Sequence, residues 1–255
     1  MEQVEKGGTM TAGVLIRRVL VAFLAAGVLA GPGHSQAARP ITGIPAADHA
    51  WTLADFDAAT RVVAGLKPED MPRASSTPAG AVFARMTGPS IYAPCSNPDM
   101  PANARALACS IAFEDLKKIQ VAYSLGSLRD EQLTDELLLV MAMGVGLTTE
   151  FSLDMEEAVK TLDTSAADLN TRVAEMDKLR SGFGQYMLGS VMALKAKVPS
   201  ESQEARIKLA ASVAAGFPRI LLPPEKRAGF AGDLRKLAAE DPNEGVRREL
   251  AAFLQ

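Results

Sequence analysis

Two cysteines and two histidines bound the covalent chemistry open to this chain. Cys95 and Cys109 are its only cysteines. An even pair at short spacing predicts a structural disulfide, closing a loop of about 15 residues and stabilising the fold by about 3 kcal/mol in a chain-entropy model. The pair lacks the Cys-x-x-Cys spacing that lowers a thiol pKa for redox work. Of the histidines, only His49 lies past residue 37, beside the lone Trp51. Any Ser-His or Cys-His nucleophile would have to recruit it. Its place just before the first predicted helix reads instead as an exposed or cap-adjacent histidine.

Metal and phosphate chemistry fare no better. The chain has no His-Glu-x-x-His, no Glu-x-x-His and no cysteine cluster, so zinc and di-iron sites lose their usual ligands. Glu150, Asp154, Glu156 and Glu157 gather in one stretch, but without the Asp-x-Asp-x-Asp-Gly loop that wraps oxygens around calcium. Gly182-Phe183-Gly184, with Gly189 after it, has the wrong spacing for a dinucleotide fingerprint and follows no strand. No Ser-x-x-Lys occurs. The sequence therefore assigns no catalytic residue, no metal and no cofactor. Carboxylate pairs are plentiful, so a carboxylate-dependent hydrolase acting on envelope material is the alternative to a non-enzymatic role.

The first 37 residues read as an address. Arg17 and Arg18 precede an apolar run, Val19 to Ala30, then Gly31-Pro32-Gly33 and the small-x-small triplet Ser35-Gln36-Ala37. This is the layout of an export signal cleaved near Ala37 and Ala38. The run of about 12 residues is short of the roughly 20 that span a bilayer. The expected compartment is periplasmic or secreted, and nothing in the sequence indicates membrane association after cleavage. The chain carries 27 Lys and Arg against 30 Asp and Glu, a mild acidic excess that argues against nucleic acid as partner.

The elements that would position any site are helices. Residues 38–50 read as an extended segment and 51–255 as a single all-α domain, an irregular bundle of about seven to nine helices with a Pro-rich loop at 67–100. Thr52 and Asp55 form a capping box, and Gly65 marks the first stop. Pro101 opens a long helix whose Ala108, Ala112, Leu116, Ile119 and Tyr123 repeat at helical spacing. Leu137 to Leu147 holds no charge and reads as the central buried helix.

Within that helix Ala142, Gly144 and Gly146 offer a close helix approach or a ligand groove. Ser152 should cap a further helix, Gly182 to Gly184 should break one, and Ser200 with Gln203 should make a second capping box. Pro223-Pro224 starts another, and Asp241-Pro242 separates the last two. Residues 234–254 resemble one HEAT-type unit, two helices joined by an Asp-Pro turn. Met141, Met143, Met155, Met176, Met187 and Met192 lie on candidate core helices, where methionines fill gaps or line a groove for a partner helix or lipid tail. The expected function is an exported envelope protein, non-enzymatic, that binds a protein partner or an apolar ligand. A structural component of an envelope complex is the third possibility.

Overall fold

A computed structural model describes residues 43–44, 51–74, 79–88, 91, 93–160 and 169–254. The chain divides into two units, Met1–Ala37 and Ala38–Gln255. The export-signal reading, both histidines and most of the 38–50 segment lie outside the described residues.

The described chain is all-α. Eight helices follow in order: α1 (Leu53–Ala64), α2 (Ala79–Met86), α3 (Ala102–Ser127), α4 (Thr134–Lys160), α5 (Leu169–Lys195), α6 (Gln203–Gly216), α7 (Pro224–Glu240) and α8 (Glu244–Ala251). Local signals set many of their ends. The Thr52–Asp55 capping box forms as expected, and Gly65 closes α1. Pro224 occupies the first turn of α7, where a missing N–H costs nothing. The Asn243 side chain caps α8 by accepting from the Val246 N–H at 3.2 Å.

α4 is the axle of the bundle. It packs on α3 and α6 through the two largest interfaces, with α5 beside it; α1 lies against α3, and α8 touches α6 and α7. Every residue from Leu137 to Leu147 is buried except Leu139 and Gly146, which are half-buried. Glu131–Lys160 is long and apolar enough to cross a membrane, but 78% of its most apolar stretch is covered by this molecule's own helices. That is the signature of a core helix. The predicted stripe of α3, Ala108 to Tyr123, is buried throughout.

Three expected helix boundaries are corrected. Ser152 caps nothing; it lies inside α4, donating to the Thr148 carbonyl at 2.8 Å and accepting from the Leu221 N–H at 3.0 Å. Thr148 and Thr149 turn back on the helix in the same way, so these hydroxyls are satisfied without ending it. Gly182 to Gly184 breaks nothing either, because Phe183 between them is pinned edge-on by Phe113 and Phe151. Tertiary packing there outweighs the glycines' low propensity. Ser200 opens a 3-10 turn and its hydroxyl bonds Glu201, so the second capping box is absent.

Candidate functional site

Gly144 is where α5 meets α4. A Cβ placed there would stand 1.8 Å from Tyr186 Oη and 2.9 Å from Leu116 Cδ2. The Tyr186 hydroxyl passes over the glycine to donate to the Met141 carbonyl at 3.3 Å, and its ring leans on Phe113. Burial raises the Tyr186 pKa above its ordinary value. Of the three residues proposed as one groove, Gly144 holds the tyrosine and Ala142 is buried. Gly146 faces open space with nothing within 4 Å of an added Cβ. Met141, Met143 and Met187 are core filler.

The cysteines require a correction. Cys95 and Cys109 are two free, buried thiols, not a disulfide. Short spacing makes loop closure cheap, but a bond also needs a specific Cα separation and matched Cβ directions. Cys109 Sγ donates to Asp154 Oδ2 at 3.6 Å. The neighbouring Cys95 thiol first, then burial, then the Asp154 charge hold Cys109 protonated, its pKa raised well above the ordinary thiol range. Alkylation of the denatured, unreduced chain is expected to label both cysteines, and alkylation of the native chain to label neither. Mass spectrometry finding no label after denaturation would show a bond after all.

Asp154 belongs to a larger node. Arg105 donates through Nε to Asp154 Oδ1 at 2.7 Å and through Nη1 to the Met100 carbonyl at 2.7 Å, and it also pairs with Glu157. The guanidinium thus takes up two of the four carboxylates in the acidic stretch 150–157 and ties the 97–101 loop to α4. Among the described residues no three His, Cys, Asp or Glu side chains gather as a metal would require.

One carboxylate has the desolvation an acid catalyst would need. Glu136 is 2% exposed, accepts from the Ala74 N–H at 2.7 Å, and keeps its other oxygen unpartnered, as Asp135 keeps one of its own. Burial raises its pKa, opposed by the Ala74 hydrogen bond. It therefore favours folding while protonated, and that contribution fades as pH rises through its folded value. The described surface carries clefts at two places away from Glu136 and Asp135. One, of about 400 Å³, is lined by Lys67, Pro68, Glu69, Arg129 and Asp130. The other, of about 750 Å³, lies over the ends of α5 and α7. Neither is lined by Glu136 or Asp135. The larger has Arg206 in its wall, but that guanidinium is spent on Asp241 and the Leu194 carbonyl.

The outer face of α3 is different in kind. Leu107, Ile111, Val121, Leu125 and Leu128 are 64%, 45%, 57%, 54% and 38% exposed. No other described helix leaves as many large apolar side chains uncovered. The sequence holds the signal: α3 is apolar along a second line as well as along the one that faces the core. Isolated exposed apolar residues are ordinary, but a row of four on one helix, continued by Leu128 at its C-cap, marks an interaction surface. No protein-family model, curated protein or solved structure matches the chain.

Proposed function

We propose that this chain is an exported envelope protein that works by binding another protein chain through the outer face of α3. The observation that carries the reading is the row Leu107, Ile111, Val121, Leu125 and Leu128, uncovered on a helix whose opposite side is sunk in the core. The basic, apolar and small-residue segments of residues 17–37 support export. The buried state of both cysteines lets the chain carry free thiols into an oxidising compartment.

Photo-cross-linking in living cells tests this. A photoreactive residue at Leu125 should capture protein in the envelope fraction, whereas the same group at Lys208, whose side chain is 57% exposed, should capture little. Equal capture at both positions would overturn the docking face. Full-length, unprocessed chain confined to the cytoplasm would overturn export.

A further inference from the structure

The uncovered face of α3 has a regular beat. Leu107, Ile111, Glu114, Lys118, Val121, Leu125 and Leu128 all face solvent, in steps that alternate four and three. Between them Ala108, Cys109, Ala112, Phe113, Asp115, Leu116, Ile119, Tyr123, Gly126 and Ser127 are buried. Alternating steps of four and three are the 3.5-residue period of a coiled-coil seam. One turn before Leu107, the half-buried Ala104 continues the same line. The seam from Ala104 to Leu128 is about 36 Å long at 1.5 Å per residue.

Resting on the docking role of this face, we propose that its occupant is the same seam of a second copy of this chain, antiparallel, about a two-fold axis level with Leu116. In that register Leu107 lies opposite Leu125 of the partner subunit and Ile111 opposite Val121 of the partner subunit. Glu114 lies opposite Lys118 of the partner subunit, and Ala104 at one end meets Leu128 of the partner subunit. The two-fold axis generates the reverse of each pair. Every apolar layer meets an apolar layer, and the only two charged layers meet their opposites.

The alternatives are disfavoured by the same residues. A parallel pair sets Glu114 on Glu114 and Lys118 on Lys118. An antiparallel shift of one heptad puts Glu114 against Leu125 and Lys118 against Val121. Charge order therefore selects one orientation and one register, the usual work of polar positions in a seam. Such an interface is isologous, so it closes on itself as a dimer.

The charges around the axis balance. Lys118 Nζ already reaches Asp115 Oδ1 at 2.7 Å, with Asp57 Oδ1 at 3.9 Å from α1. Glu114 Oε1 accepts from Lys117 Nζ at 2.5 Å, and Arg61 of α1 pairs with Asp57 at 2.9 Å. Each protomer brings Glu114, Asp115 and Asp57 against Lys117, Lys118 and Arg61, so no net charge accumulates on the axis.

Sedimentation equilibrium of the purified chain over a concentration series tests this. The unaltered chain should form a dimer. Glu114→Lys and Lys118→Glu should each weaken dimerisation at least about tenfold, because each places two like-charged layers at the axis. The double variant Glu114→Lys/Lys118→Glu should restore the dimer; in a parallel pair the single variants would leave like charge on like at both layers, as in the unaltered chain, and would change little. An equimolar mixture of the two single variants should also dimerise. Circular dichroism melts confirm that each variant is folded, as exposed positions should permit. A chain that stays monomeric at every concentration overturns the proposal, as do single variants that dimerise normally or a double variant that does not recover. A monomer that floats with anionic lipid vesicles overturns it in favour of a membrane surface. A monomer whose position 125 still captures a protein of different mass removes self-pairing and leaves the docking role standing.

Discussion

Gly144→Ala should destabilise the protein by about 3 kcal/mol, a drop in Tm of roughly 6 to 12 °C for a domain of this size. Alanine in a helix interior would otherwise gain about 1 kcal/mol over glycine, so the measured loss is net of that gain. The new methyl has nowhere to go. It would lie 1.8 Å from Tyr186 Oη and 2.3 Å from Cζ. The ring cannot swing aside, because Phe113 lies against it and its hydroxyl is tied to the Met141 carbonyl. Adding Tyr186→Phe should rescue little, since the ring carbon still collides. Adding Tyr186→Leu should rescue more, because it removes both atoms. Gly146→Ala is the internal control: its added Cβ meets nothing within 4 Å, so it should be neutral or gain up to about 1 kcal/mol. Urea titration of the variants reads all of this. A Gly144→Ala protein as stable as the parent would refute the α4–α5 packing.

The contrast between these two glycines shows where a sequence stops being legible. Both sit in one uncharged run, and that run correctly announces a buried helix, because an unbroken apolar stretch of that length has no solvent face. Which glycine receives a neighbour depends on the angle at which α5 crosses, and α5 was itself misread. Gly182 and Gly184 look like a break until Phe183 is seen wedged between Phe113 and Phe151. Ser152 looks like a cap until its hydroxyl is seen serving Thr148 and Leu221. Caps and proline starts are local, so Thr52, Gly65, Pro224 and Asp241-Pro242 were readable. The cysteines failed for a related reason: sequence distance says how cheaply a loop closes and nothing about whether the two sulfurs reach bonding distance. The outer face of α3 was written in the sequence but masked by the inner stripe, since a helix apolar on two sides shows no single polar face.

The second large effect is expected at a residue that no motif marks. Arg206 is 5% exposed and Asp241 4%. The guanidinium donates to Asp241 Oδ1 at 3.0 Å and, through Nε, to the Leu194 carbonyl at 3.0 Å. Leu194 lies in the last turn of α5, whose carbonyls lack helical partners, and Asp241 forms the corner between α7 and α8. One side chain on α6 therefore clamps three other elements. Arg206→Met should cost about 3–5 kcal/mol, because it strands a buried carboxylate and an orphan carbonyl together. Arg206→Lys should recover only part of this, since an ammonium cannot supply the planar fork. Arg206→Met/Asp241→Leu should be more stable than Arg206→Met alone, because the stranded charge is gone. High salt gives a further discriminator. The Lys195–Asp233 pair, with side chains 41% and 38% exposed, should contribute little and be screened away. The Arg206 loss should persist at high salt, because the two side chains, although they stand in the wall of the larger cleft, are only 6% and 2% exposed. A loss that vanished in salt would mean that Arg206 is solvated, and that the ends of α5, α7 and α8 are held by packing alone.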